Sequence, residues 1–130
     1  MIEGGCFCGA VTYCVKADPG PIVHCHCQTC RKIHGSAFSS VMPVPQEAFE
    51  WTSDDEFRSS IESSPGKLRY FCSRCGSHVV AKRTDADIYL LRMGSVDTEV
   101  ETKALAHIWR SDCANWYDPK TELAEKPEGF

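Results

Sequence analysis

Seven of the nine cysteines in this 130-residue chain fall into three short clusters, Cys6-Phe7-Cys8-Gly9, Cys25-His26-Cys27-Gln28-Thr29-Cys30 and Cys72-Ser73-Arg74-Cys75-Gly76. Thiols at such spacing constrain a fold strongly, because they must end in disulfides or around metal ions. Disulfides need an oxidising compartment. Met1-Ile2-Glu3-Gly4-Gly5-Cys6 has neither a basic nor an apolar stretch to direct secretion, so a cytoplasmic location is expected. The odd total leaves one thiol over, and Cys6/Cys8 and Cys25/Cys27 are poor partners for the specific geometry of a bridge. The spacing therefore points to metal.

The length fits one domain, expected over residues 1–117 with a C-terminal tail over 118–130. The tail reading rests on Pro119, Pro127, Lys120, Lys126 and the acids Asp118, Glu122, Glu125 and Glu128. No apolar run is long enough to cross a bilayer. The formal net charge is −4, and zinc-bound thiolates would make it more negative, which opposes nucleic-acid binding.

Short strands bounded by turn residues dominate the pattern. Val11, Tyr13, Val15 and Ala17 alternate with Thr12, Cys14 and Lys16, which predicts a half-buried strand within Ala10–Ala17. Further strands are expected at Ile22–Cys27, Ala37–Val44, Phe49–Thr52, Phe57–Ile61, Lys67–Phe71, His78–Arg83, Ile88–Met93 and Ala104–Trp109. Gln28–His34 predicts a single helical turn, and no long amphipathic helix is present.

Cys72-x-x-Cys75-Gly76 has the spacing of a zinc knuckle, with Gly76 free to adopt the positive φ that such a turn often needs. Cys6-x-Cys8-Gly9 supplies the other half of a tetrahedron, since residues two apart on an extended segment point the same way. Cys6, Cys8, Cys72 and Cys75 thus form a closed structural zinc site. Cys25, Cys27 and Cys30 offer three thiolates within six residues. If Cys25 and Cys27 face an ion, His24 and His26 face away.

His34, His107, Asp112, Cys14 and Cys113 are the distant candidates for a fourth ligand; otherwise the position is open to water or substrate, as in catalytic zinc sites. A thiol suits such a vacancy, because zinc holds it deprotonated at neutral pH. Arg31 and Lys32 follow the last ligand and are placed to offset the charge or hold a substrate carboxylate. Phe38, Trp109, Trp116 and Tyr117 read either as pocket or as core.

Three stretches together resemble the glutathione-dependent formaldehyde-activating enzyme family, which includes the centromere protein V group. They are Gly5-Cys6-Phe7-Cys8-Gly9-Ala10-Val11-Thr12-Tyr13, then Cys25-His26-Cys27-Gln28-Thr29-Cys30-Arg31-Lys32 with Gly35 and Phe38, then Ser64-Pro65-Gly66-Lys67 leading into Phe71-Cys72-Ser73-Arg74-Cys75-Gly76-Ser77-His78. His107-Ile108-Trp109 with Trp116-Tyr117 is similar to the family's ending.

The resemblance implies a mainly β, Mss4-like fold of small antiparallel sheets around zinc, with few short helical turns. It implies two Zn²⁺ per chain, structural on Cys6, Cys8, Cys72 and Cys75 and catalytic on Cys25, Cys27 and Cys30. The implied activity is that of a carbon–sulfur lyase or synthase joining glutathione to formaldehyde; the alkoxide of such a reaction needs a proton or a cation, for which His34 and Arg31 are the nearest candidates in the sequence. The alternatives are a non-enzymatic zinc-binding interaction module, a lyase for another thiol adduct, and a Cys27/Cys30 redox dithiol. The last would require a βαβ pattern that the sequence lacks.

Overall fold

A computed structural model describes residues 1–118, 120 and 123–129. Pro119 and Glu122, which entered the tail reading, lie outside the described residues, as does the terminal Phe130. The chain is mainly β, with eleven strands and one α-helix among the described residues, and it divides into two compact units. One comprises Met1–Gly20 with Met42–Glu101; the other comprises Pro21–Val41 with Thr102–Phe130. Among the described residues no helix is long and apolar enough to cross a membrane.

In the larger unit, β1 (Ile2–Gly5), β2 (Thr12–Val15) and β5 (Phe49–Trp51) form an antiparallel sheet in the order β1-β2-β5. Strand β1 has no alternating signal, because its second half is Gly4-Gly5. Its register, Ile2 opposite Val15 and Gly5 opposite Thr12, brings Gly4 against Tyr13. A Cβ at Gly4 would collide with the Tyr13 hydroxyl and the Ser95 carbonyl, so the residue that hides the strand is the one its packing requires. The Tyr13 hydroxyl is 2.8 Å from Ser95 Oγ, and burial pushes its pKa up to about 12.

The same unit carries β6 (Arg58–Ser64), β7 (Lys67–Cys72), β8 (His78–Arg83) and β9 (Ile88–Arg92), consecutive antiparallel neighbours. Gly66, at φ 78°, makes the β6–β7 turn. The core here is largely aliphatic: Val11, Val15, Met42, Val44, Val79, Val80 and Leu91 are all at most 2% exposed, with Tyr13 at 1% among them.

The smaller unit holds β3 (Ile22–Cys25), helix α1 (Gln28–His34), the first residues of β4 (Ser39–Pro45), β10 (Ala104–Ile108) and β11 (Ala124–Glu125). Its order is β11-β10-β3-β4. Strand β10 pairs in parallel with both β3 and β11, whereas β3 and β4 are antiparallel. Helix α1 has seven residues, two turns where the sequence suggested one. Gly35 at φ 57° closes it, donating its N–H to the Arg31 carbonyl.

Residues 124–128 lie along β10 and its exit, with Lys126 N–H donating to the His107 carbonyl at 2.8 Å and Trp109 N–H to the Glu128 carbonyl at 3.0 Å. The buried residues here are of another kind. His26, Cys30 and Ala106 are fully buried and His107 is 3% exposed, with Phe38 and Tyr117 packed on the imidazoles at centroid distances of 5.0 to 6.3 Å.

Candidate metal centres

The larger unit brings Cys6, Cys8, Cys72 and Cys75 together, their sulfurs all within 4.8 Å of one another. Two turns do this. Cys6 N–H donates to the Val11 carbonyl at 2.9 Å and Gly9, at φ 82°, closes the first. Gly76, at φ 81°, donates to the Cys72 carbonyl at 2.7 Å and closes the second. Sulfurs 64 positions apart in sequence, Cys8 and Cys72, stand 3.7 Å apart, and Cys6 and Cys8 stand 3.6 Å apart. A tetrahedron with Zn–S of about 2.3 Å has edges of about 3.8 Å, so these separations fit zinc.

The electrostatics are those of crowded sulfurs. Hydrogen bonds from the Ser77 hydroxyl and backbone pull Cys75 down to about 5. At Cys8 the Ala10 N–H pulls the same way but is outweighed by desolvation and by the sulfurs of Cys6, Cys75 and Cys72, which hold it up at about 11. Crowded thiols cannot all ionise unaided, whereas a divalent cation makes four thiolates compatible. A depression of about 470 Å³ beside this centre is lined by Cys6, Phe7, Ser77 and Asp97 among others, but four sulfurs fill a tetrahedron and leave no position for a ligand.

The smaller unit gathers Cys25, Cys27 and Cys30, again with all sulfurs within 4.8 Å. Cys25 ends β3, Cys27 is the N-cap of α1, and Cys30 sits in the first turn of the helix. The junction of strand and helix converges the three, and Cys27 Sγ accepts from Cys30 N–H at 3.2 Å, as a capping oxygen would. Cys27 and then Cys30, through their side-chain hydrogen bonds, and burial after them, push the Cys25 thiol far up. Cys30 is fully buried and Cys25 is 8% exposed, while Cys27 is half-buried, so the cluster is reached from the Cys27 side.

Among the described residues no fourth histidine, cysteine or carboxylate joins this cluster. His107 Nδ1 lies 2.7 Å from His26 Nε2. Cys113 Sγ donates to the carbonyls of Ala114 and Tyr117, both at 3.5 Å. Cys14 is buried in β2 of the larger unit, opposite Glu3 and Glu50. Asp112 offers its backbone carbonyl to Arg31 Nη1 at 2.8 Å. His34 lies four residues beyond Cys30, hence on the same face of α1, half-buried at the helix end.

His24 and His26 do not join the sulfurs and are bonded elsewhere. His24 Nδ1 is 2.8 Å from Ser40 Oγ. His26 is driven down to about 4 by burial and then by His107, Arg110, His24 and Arg31. Burial also lowers His107, with Arg110 adding to it. A bond between two imidazoles has one donor and one acceptor, so the pair cannot be doubly charged. The 81-residue separations of His26 from His107 and of Arg31 from Asp112 left no local signal in the sequence. Of the four aromatics with two readings, Phe38 and Tyr117 join the imidazole cluster, Trp109 is 38% exposed and Trp116 is 67% exposed.

A family model described as glutathione-dependent formaldehyde-activating enzyme matches residues 1–112. A sequence from Colletotrichum graminicola named for that family is 29% identical over 106 residues, covering 78% of this chain and 49% of its own length. One from Talaromyces marneffei, named for the same family, is 28% identical over 116 residues, covering 82% of this chain and 55% of its own. The chain thus spans about half the length of these relatives. The crystal structure of a Rhodobacter sphaeroides protein superposes with a TM-score of 0.59 at 16% identity, covering 95% of this chain and 98% of that one, a likeness of fold.

Proposed function

The chain belongs to the glutathione-dependent formaldehyde-activating enzyme family, and from that premise we propose that it is a zinc-dependent carbon–sulfur lyase/synthase acting on glutathione–aldehyde adducts of the S-hydroxymethylglutathione type. The observation that carries this reading is the cluster of three sulfurs at Cys25, Cys27 and Cys30, which offers a tetrahedral ion one place fewer than it needs. Cys6, Cys8, Cys72 and Cys75 hold the structural zinc in this scheme, and Cys25, Cys27 and Cys30 hold the catalytic one. Zinc at the second site would supply the substrate thiol as its thiolate at neutral pH.

The residues of the chain do the rest. Half-buried Cys27 marks the side from which a thiol and an aldehyde enter, while buried Cys25 and Cys30 keep the far side dry. In the synthetic direction the sulfur lone pair attacks the aldehyde carbon, a C–S bond forms, and the C=O electron pair moves onto oxygen. That oxygen takes its proton from His34, while Arg31, anchored on the Asp112 carbonyl, offers positive charge to it. The lyase direction returns the hydroxyl proton to His34, re-forms the C=O bond and releases the sulfur as thiolate. Holding both reactants on one helix end replaces a collision in solution with a fixed encounter.

Exchange NMR of formaldehyde and glutathione with zinc-replete protein tests this. The expected result is faster interconversion of aldehyde and adduct than in buffer, reduced about 100-fold in His34→Gln. No acceleration by the zinc-replete protein contradicts the reading.

A further inference from the structure

Helix α1 presents a second feature that the three-sulfur centre does not use. Gln28, Arg31, Lys32, Gly35, Ser36 and Trp116 line a cavity of about 230 Å³. Gln28, Lys32 and Gly35 stand at i, i+4 and i+7 on one side of the helix, and Gln28 directly follows Cys27. The cavity therefore starts one residue from the accessible ligand.

Three properties give its chemistry. Two cations and no acid line it, in a chain whose net charge is −4, so the local field is opposite in sign to the global one. Arg31 is fixed through Nη1 on the Asp112 carbonyl at 2.8 Å, and its buried Nε has no hydrogen-bond partner among the described residues. Trp116 leaves its indole 67% exposed at the rim, a large apolar surface beside exposed Lys32.

We propose that this cavity is the carboxylate subsite for the thiol substrate: Lys32 pairs with a carboxylate of glutathione, Arg31 adds to the positive field of the cavity, and Trp116 covers the peptide chain that joins that carboxylate to the sulfur. The inference rests on the reading of Cys25, Cys27 and Cys30 as a thiol-accepting centre, and it adds the residues that select an acidic thiol over a neutral one. A charge-assisted bond in a partly shielded pocket is worth about one order of magnitude in affinity. Lys32 is a specificity residue in this account and takes no part in the bond-making step.

The test is equilibrium binding to zinc-replete protein, read by tryptophan fluorescence and calorimetry, with reduced glutathione and its diethyl ester as probes. Wild type is expected to bind the acid about tenfold tighter than the ester, and Lys32→Glu to abolish or invert that preference. Trp116→Ala is expected to weaken both probes to a similar degree and to remove the fluorescence response. Equal binding of acid and ester to wild type, or an unchanged preference in Lys32→Glu, overturns the subsite while leaving the thiol-accepting centre standing. Failure of both probes to bind overturns the subsite and the glutathione reading together.

Discussion

The two cysteine centres use the same ligand in opposite ways. Four sulfurs from two distant turns meet in the larger unit, whereas three sulfurs from one strand–helix junction meet in the smaller. Convergence of separate segments completes a tetrahedron and ties Cys8 to Cys72 across 64 residues. A local cluster runs out of chain after three ligands and stays accessible at Cys27. The surroundings differ to match. The larger unit buries valines and Leu91 together with Tyr13, Tyr89, Arg69 and Arg92, while the smaller one buries His26, His107 and Cys30. A centre that closes long loops supports folding; one that leaves a position open supports chemistry.

Removing one buried ligand of the closed centre is the severest challenge to this contrast. Cys72 is fully buried, and Cys72→Ser is expected to lose one metal per chain and the cooperative thermal transition, measured by metal analysis and circular dichroism. Cys27→Ser should instead keep the melting transition to within about 1 kcal/mol, since the serine hydroxyl can accept from Cys30 N–H as the helix cap, while turnover falls at least 100-fold. Unfolding of Cys27→Ser would erase the distinction between the centres.

A smaller effect comes from the buried imidazoles. His26, held near 4 against an ordinary 6.5, is neutral when folded, so below pH 6.5 the unfolded chain binds more protons and stability falls as pH drops towards 4. The loss is at most about 3 kcal/mol for a group with this shift. Because His107 shifts in the same direction, His107→Gln should show a shallower decline of melting temperature over this range than wild type. A parallel decline in both proteins contradicts the assignment. The smallest effect belongs to Phe7, 93% exposed between Cys6 and Cys8; Phe7→Ser should change stability by less than about 0.5 kcal/mol in a denaturant titration.

Much of this was legible in the sequence where the signal is local. The strand predicted at His78–Arg83 forms with those bounds, and both cysteine groupings follow from spacing and turn glycines. Strand β1 was invisible because Gly4-Gly5 is a poor strand former chosen for close approach to Tyr13. Pairings set by tertiary contact were also invisible: His26 on His107, Arg31 on Asp112, and the cavity that joins Trp116 to Lys32. Parallel pairing of β10 with β3 creates the first of these by placing His107 opposite His24 and Ile108 opposite Cys25. Residues so far apart in sequence carry no periodicity that could announce them.

The most direct test of the central claim is calorimetric titration of the zinc-replete protein with reduced glutathione and with S-methylglutathione, in buffers of different ionisation enthalpy. An open, thiol-accepting centre predicts that the free thiol binds more tightly than its methylated form and alone releases a proton, with a heat that tracks the buffer. Equal binding of the two ligands without proton release would contradict it.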